Sequence, residues 1–172
     1  MKRVLQKNLV ATLLVAILII DQLTKAIAQH ALISSDGSYI ERRIIGPLLT
    51  LRLAYNSGAA FSMATNQTLL LSLFSLFVAG FILFKGRSFT STAWKVGAAL
   101  ITGGIAGNMV DRIMRTPGNF RGEVVDWIHL SHWPTFNIAD SSIVIGAALV
   151  VALIARGIPS GGSHLGSSGE RK

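Results

Sequence analysis

The stretch NLVATLLVAILIIDQLTKAIA, at residues 8–28, decides the fold of this 172-residue chain. A helix that crosses a bilayer needs roughly 20 mainly apolar residues, and this stretch supplies them. It is too long and too continuous for a cleavable signal peptide, and no small-residue cleavage site follows it. It therefore predicts a transmembrane helix that is retained in the protein.

Three more apolar stretches predict transmembrane helices at about residues 68–84, 94–112 and 137–156. The third helix is rich in small residues, which let neighbouring helices approach closely: Gly97, Gly103, Gly104 and Gly107. The predicted fold class is an all-α membrane core of four transmembrane helices, forming a single domain over residues 1–158.

The composition supports lipid as the solvent. Charged residues make up 14% of the chain, against about a quarter in a soluble domain, and the mean hydropathy is +0.54. The net charge of +8 arises from basic residues that flank the apolar stretches, so it indicates membrane topology and argues against a nucleic-acid partner. The chain has no cysteine, which excludes disulfides, thiolate metal sites and a cysteine nucleophile.

The distribution of Lys and Arg predicts the orientation. With four spans, one side of the membrane carries Lys2, Arg3, Lys7, Lys85, Arg87, Lys95, Arg156, Arg171 and Lys172. By the positive-inside rule this side is cytoplasmic, so we expect both termini there. The opposite side carries Arg42, Arg43, Arg52, Arg115 and Arg121, which weakens this bias without reversing it. Residues 159–172 are rich in Gly and Ser and are predicted to be a disordered cytoplasmic tail.

Two segments are predicted to lie outside the membrane on the far side. Residues 34–63 contain an alternating stretch, Leu49–Leu53, after a Gly46-Pro47 turn signal, which predicts a small extracytoplasmic sheet. Residues 122–129 are expected to form a surface loop or helix that touches the membrane, since Trp127 suits the interface. Asp126 lies there among apolar residues, where partial desolvation should raise its proton affinity.

Ionisable residues at the ends of the predicted spans are costly in lipid and are candidates for function. Asp21 and Lys25 share one helix face, either as a helix-end pair that extends to the interface or as a pair that positions something larger. Asp111 and Arg112 end the third span, where a solvated ion pair would explain Asp111 but would leave Asn108 unexplained.

The fourth span opens with a local capping signal. Asn137 is a good N-cap, and Asp140 falls at the third helical position, where the helix dipole favours a carboxylate. The dipole alone is a sufficient structural reason for Asp140. However, Asp126 lies in an apolar setting, and two carboxyls whose environments push their pKa values apart suit acid–base hydrolysis.

Other catalytic chemistries have weaker support. None of Ser57, Ser141 and Ser142 lies in a Gly-x-Ser-x-Gly turn, and His129-Leu-Ser-His132 lacks a zinc-binding carboxylate pattern. The remaining candidates are the acids near the outer surface: Asp21, Asp111, Asp126 and Asp140. Two of them sharing a proton could activate a water, although composition does not select the pair. A small transporter or channel, and a structural subunit packed through the Gly-rich helix, remain alternatives.

Five sequence blocks, in order, resemble the lipoprotein signal peptidase (signal peptidase II) family of bacteria. They are Asp21-Gln-Leu-Thr-Lys25, Asn56-Ser-Gly-Ala-Ala-Phe-Ser62, Gly103-Gly-Ile-Ala-Gly-Asn-Met-Val-Asp-Arg112, Val124-Val-Asp126 and Phe136-Asn-Ile-Ala-Asp140. The resemblance extends from about residue 8 to residue 156. Residues 115–122 look longer than the family pattern, which affects that loop and not the acids.

The resemblance implies an intramembrane aspartyl endopeptidase of the inner membrane, which cuts prolipoproteins before a diacylglyceryl-modified cysteine near the outer face. It implies that Asp126 and Asp140 are catalytic, with no metal or cofactor. Membrane lipid and prolipoproteins are the implied partners, and we expect a monomer. Residues that match the family blocks and are implied to bind substrate or support the site are Asp21, Lys25, Asn56, Gly58, Asn108, Asp111, Arg112, Asn137 and Ala139.

Overall fold

The computed structural model of the chain describes residues 2–58 and 65–161. It contains four helices, α1 (Lys2–Ala31), α2 (Thr65–Gly86), α3 (Thr92–Met114) and α4 (Ile138–Ala155). The three strands are β1 (Arg42–Ile45), β2 (Leu49–Asn56) and β3 (Val124–Leu130). The end of the predicted sheet segment, residues 59–63, and most of the predicted disordered tail, residues 162–172, lie outside the described residues.

Each helix forms where an apolar stretch of the sequence predicts it. The segments predicted at 8–28, 68–84 and 94–112 lie inside α1, α2 and α3, and the segment at 137–156 matches α4 to within one residue at each end. The helices expose large apolar side chains outwards; on α2, Leu70, Phe74, Phe77 and Phe84 are each more than 60% exposed. Such a surface is unsuited to water and suits lipid contact.

Three of the described helices are long and apolar enough to cross a membrane: Leu9–Ala31, Gln67–Gly86 and Ile138–Ala155. The protein is therefore a helical membrane protein. Helix α3 is not among the three, because Gly, Thr, Asn and charged residues lower its hydropathy. The predicted count of four spans is therefore correct only if α3 also crosses the membrane. Much of the α3 surface is covered by the other three helices.

Helix α3 lies at the centre and packs against α1, α2 and α4. Its contact with α4 is close because Gly104 has no side chain. A Cβ at this position would lie 2.7 Å from Cγ1 of Ile143 and would collide with the carbonyl oxygen of Ala139. The small residues of α3 therefore bring the start of α4 against α3, as the sequence predicts.

The strands form one antiparallel sheet in the order β1-β2-β3. A tight turn joins β1 to β2, with Gly46 at φ 46° and a hydrogen bond from the Leu48 N–H to the Ile45 carbonyl (2.8 Å), as the Gly-Pro signal predicts. The sheet rests on the end of α1 through a buried apolar cluster of Ala28, Leu32, Leu53 and Val125.

The prediction of a surface loop or helix at residues 122–129 is wrong. Residues Val124–Leu130 are a strand that pairs with β2 over Leu49–Asn56. Val, Trp and Ile favour strands, and the side chains of Val125 and Trp127 pack on the face of the sheet that rests on α1. Strand β3 thus brings Asp126, from a distant part of the chain, next to β2.

Candidate active site

Asn137 and Asp140 form the capping box that opens α4. The Asn137 side chain accepts a hydrogen bond from the Asp140 N–H at 2.9 Å, and the Asp140 carboxylate accepts one from the Asn137 N–H at 3.2 Å. The predicted N-cap and the third-position acid are both confirmed. A capping box holds a carboxyl in one rotamer against the first turn of its helix, so the backbone itself positions Asp140.

Asp126 is held in β3, opposite Ala54 of β2. Its side chain is 2% exposed and accepts hydrogen bonds from the Asn137 side-chain amide (2.6 Å, on Oδ1) and from that of Asn56 (3.1 Å, on Oδ2). Asn137 therefore contacts both acids: its side chain donates to Asp126, and its backbone donates to Asp140.

The surroundings of Asp126 raise its pKa to about 7. Burial is the main cause because it penalises the ionised form, and the negative charge of Asp140 adds to it. The amides of Asn56 and Asn137 stabilise the carboxylate and oppose the increase without cancelling it. A pKa near neutrality suits a group that must both take up and release a proton.

Asn108 of α3 links Asp140 to Lys25 and to Asn137. Its amide nitrogen donates to Asp140 Oδ1 at 2.7 Å, while its oxygen accepts from Lys25 Nζ at 3.0 Å and from the Asn137 amide at 3.1 Å. Because two donors converge on the oxygen, the amide is fixed with its nitrogen towards Asp140.

Lys25 lies at the centre of a buried ionic network. Its ammonium group is 2.7 Å from Asp21 and 2.8 Å from Asp111, and Lys25, Asp21 and Asp111 are at most 1% exposed. The interpretation of Asp21 and Lys25 as a helix-end pair that extends to the interface is therefore wrong. The positioning interpretation fits instead, because Asp21 Oδ1 accepts the Ala139 N–H at 2.9 Å and so attaches α1 to the first turn of α4.

Asp111 is not a solvated helix-end acid, contrary to the simpler interpretation of its sequence. It accepts hydrogen bonds from Arg115 Nε at 2.8 Å and from the Val125 N–H of β3 at 3.3 Å. Arg112 points elsewhere and donates to the backbone carbonyls of Asn56 and Gly122 at 3.1 and 2.9 Å. The neighbours Asp111 and Arg112 thus attach the end of α3 to both β2 and β3.

Sequence reasoning missed two residues of this network. Arg115 was assigned only to a loop, although its spacing of four from Asp111 is the same as that of Asp21 and Lys25 and could have indicated the pair. Gln22 donates to the Gly107 carbonyl at 3.0 Å and to Asp21 at 3.2 Å. No sequence signal distinguishes this glutamine from one that faces solvent.

A cleft of about 140 Å³ opens beside Asp140. Asp140, Asn108, Asn56 and Arg112 line its polar side, and residues of α2, α3, α4 and β3 line the rest. Gly58 borders this region with φ +80°, and a Cβ there would lie 3.0 Å from Arg112 Nη2. The other matched residues of that block, 59–62, lie outside the described residues.

The serine and histidine candidates do not form a second catalytic arrangement in the described part of the chain. The hydroxyls of Ser141 and Ser142 donate to the carbonyls of Asn137 and Leu100. His132 contacts Ser131 at 2.9 Å, in an exposed turn. Within residues 2–58 and 65–161, no three His, Asp or Glu side chains are grouped so that they could hold a metal ion.

Known proteins of one family match this chain. The family model described as signal peptidase (SPase) II matches residues 13–156. The lipoprotein signal peptidase of Mycolicibacterium smegmatis is 45% identical over 146 residues, 85% of this chain and 60% of that protein. Its counterpart from Rhodococcus jostii is 46% identical over 72% of this chain and 62% of that protein. The Mycobacterium avium protein is 43% identical over 85% of this chain and 78% of that protein.

The chain spans about 60% of the length of the Mycolicibacterium and Rhodococcus relatives. Two solved structures of bacterial membrane enzymes are also similar, each with a TM-score of 0.69. One is 24% identical and aligns over 96% of this chain and 95% of its own, a likeness that shows the fold alone. The other is 26% identical and aligns over 86% of this chain and 92% of its own.

Proposed function

The chain belongs to the signal peptidase II family, and from this premise we propose that it is an aspartyl endopeptidase that removes signal peptides from lipid-modified prolipoproteins. The observation that carries the proposal is the position of Asn137, which hydrogen-bonds to Asp126 through its side chain and to Asp140 through its backbone. Two acids held by one residue, at the junction of a sheet and a helix end, suit a pair that shares one proton.

In the proposed reaction, Asp126 and Asp140 flank one water and hold a single proton between them. The ionised carboxylate takes a proton from the water as the water oxygen attacks the scissile carbonyl carbon. When the peptide C–N bond breaks, the protonated carboxyl gives its proton to the leaving nitrogen of the lipid-modified cysteine. A coupled pair titrates as a unit, so the proton belongs to the dyad and not to one residue.

The remaining matched residues have supporting roles in this proposal. Asn108 orients Asp140, and Asn56 stabilises the ionised form of Asp126. Lys25, Asp21 and Asp111 hold α1, α3 and the start of α4 in register, with Ala139 as the backbone donor. Arg112 and Gly58 border the cleft in which we place the peptide.

In the proposed membrane arrangement, α3 is the fourth span, and residues 1–158 form one membrane-embedded peptidase domain. Both termini lie in the cytoplasm and the acids lie near the outer face of the bacterial inner membrane. The sheet rests on that face and cradles the substrate. The apolar surfaces between the helices receive the signal helix and the diacylglyceryl group, and the protein acts as a monomer.

The direct test is cleavage of a diacylglyceryl-modified prolipoprotein by the purified full chain. Asp126→Asn and Asp140→Asn keep the size of each side chain and remove its acid chemistry. We expect each to lower the rate by about 100-fold to 10,000-fold, as is usual for a lost acid–base group. The matched control is Asp36→Asn, since Asp36 is an exposed acid that bonds with the nearby Ser34 and Ser38. Full activity of either dyad variant would remove that residue from the mechanism.

A further inference from the structure

A second and larger cavity, of about 780 Å³, lies between α1 and α2. Ala11 and Leu14 of α1 form one wall, Leu83 of α2 forms the other, and Ala98 and Thr102 of α3 form the floor. Among the described residues, α1 and α2 do not contact each other, although both pack against α3. The cavity is therefore a gap between two lipid-facing helices, and its volume is within the range of roughly 300–1,000 Å³ for ligand sites.

The mouth of this cavity is polar and basic. Arg87, Ser88 and Thr90, from the turn between α2 and α3, lie at its edge together with Lys95 of α3. Arg87, Ser88 and Thr90 are exposed. The segments at this end of the molecule, residues 2–14, 82–102 and 145–161, contain no Asp or Glu. Arg87 therefore gives the mouth a positive charge, and none of these three segments contains an acid that would offset it.

The cavity is separate from the candidate active site. On α1, the cavity is lined by Val10, Ala11 and Leu14, whereas Asp21 and Lys25 lie in the other half of the helix. On α3, Lys95 at the mouth of the cavity is thirteen residues from Asn108, about 20 Å along a helix, and Thr102 at its floor is six residues from Asn108, about 9 Å. The cleft beside Asp140 and this cavity share no lining residue.

We propose that this cavity binds an anionic diacyl phospholipid. An acyl chain lies between α1 and α2 on the small residues of α3, and the phosphate accepts hydrogen bonds from Arg87 and from the hydroxyls of Ser88 and Thr90. An apolar gap open to the bilayer with cations at its mouth matches both parts of such a lipid. The site does not depend on the proposed peptidase activity, because it shares no residue with the dyad.

The headgroup is tested by lipid retention on the purified full chain. The protein is exchanged into bicelles of phosphatidylglycerol or of phosphatidylcholine, and the bound lipid is counted by native mass spectrometry. We expect retention of phosphatidylglycerol in preference to phosphatidylcholine, and an about five-fold weaker retention of phosphatidylglycerol after Arg87→Gln. Lys85→Gln is the matched control, because Lys85 is exposed in the last turn of α2 and does not line the cavity. Equal retention of the two lipids, or equal effects of the two variants, would overturn the proposal.

The cavity itself is tested by filling it. Ala11→Trp places a large ring in the gap, whereas Thr12→Trp places the same ring on an exposed neighbouring position that does not line it. We expect Ala11→Trp to abolish phosphatidylglycerol retention and Thr12→Trp to preserve it. Unchanged retention in folded Ala11→Trp protein means that the lipid lies elsewhere. If that variant does not fold, the comparison of Arg87→Gln with Lys85→Gln decides the question.

Discussion

At the scale of single residues, Asp126 combines two features that ordinary surface acids lack. It is buried, and a second acid lies close enough to raise its pKa, so its pKa is about 7. The Asn56 amide acts in the opposite direction because it donates to the carboxylate and stabilises the ionised form. The proton content of the proposed dyad is therefore set by a balance between burial and two amides.

This balance predicts a pH dependence. As the pH rises through about 7, the pair loses its shared proton, both acids are ionised, and cleavage activity should fall. Asn56→Leu removes a donor that favours the ionised form, so the pKa rises and the alkaline limb of the kcat profile should move up by about one pH unit. Asn119→Gly, which removes an exposed amide outside the site, should leave the limb in place. If the alkaline limb stays in place in Asn56→Leu, the limb does not report the pKa of Asp126.

Lys25 is a buried cation whose ion pairs stabilise the fold. It is fully buried and forms ion pairs with both Asp21 and Asp111. Lys25→Met leaves Asp21 buried without a cation and leaves Asp111 with Arg115 alone, which should lower the free energy of unfolding by about 3–5 kcal/mol. Denaturant unfolding in detergent micelles measures this loss. Lys85→Met, at an exposed helix end, should change it by no more than about 0.5 kcal/mol. Equal values for the two variants would mean that the network does not stabilise the fold.

At the scale of elements, α3 determines how the helices are arranged, because every other helix packs against it. Its glycine-rich side lets the start of α4 approach, and this start carries Asn137 and Asp140. Strand β3 supplies the other acid from the sheet. The two acids and the amides of Asn56, Asn108 and Asn137 that bind them thus come from four elements, β2, β3, α3 and α4.

Two glycine substitutions test the close contact of α3 with α4. Gly104→Ala introduces a methyl group against Ala139 and Ile143, so the free energy of unfolding should fall by about 1–3 kcal/mol. Gly80→Ala is the matched control in α2, where a Cβ would meet nothing within 4 Å. Alanine should be neutral there, or should stabilise the helix by up to about 1 kcal/mol. The same unfolding measurement compares them, and a Gly104→Ala protein as stable as Gly80→Ala would show that the contact tolerates a methyl group.

At the scale of the whole molecule, charge is divided between the two ends of the helices. Of the eight acids, seven lie within residues 21–140, on the sheet or near the helix ends that face it, whereas the opposite end is basic. This division agrees with the proposed orientation, in which the basic end faces the cytoplasm. The two proposed sites follow the same division, with the hydrolytic one at the end that contains these seven acids and the lipid-binding one at the basic end.

Single cysteines test this topology, because the chain has no cysteine of its own. Ser38→Cys and Arg121→Cys lie after α1 and α3, and Ser88→Cys lies after α2. If all four helices cross the membrane, a membrane-impermeant maleimide added outside intact cells or spheroplasts should label the first two and not the third. Ser88→Cys should react only after permeabilisation. Labelling of Ser38→Cys without Arg121→Cys would show that α3 does not cross.

Local sequence patterns were enough to predict several parts of this protein. Continuous apolar stretches located the helices, because helix formation in lipid depends on residues close in sequence. The capping box of Asn137 and Asp140 was predictable for the same reason, since its partners are three residues apart. The five blocks also indicated the family, which the comparisons confirm.

Only the tertiary structure decided how the acids are supported. Strand β3 was missed because its pairing partner, β2, is distant in sequence, and an apolar stretch interrupted by Asp126 has no clear period of its own. Asn56 and Asp126 are 70 residues apart, and Lys25 and Asn108 are 83 apart. The burial of Lys25 and the pKa of Asp126 depend on such contacts. The sequence by itself determined the helices and the capped start of α4, whereas long-range packing determined which charges lost their water and which partners replaced it.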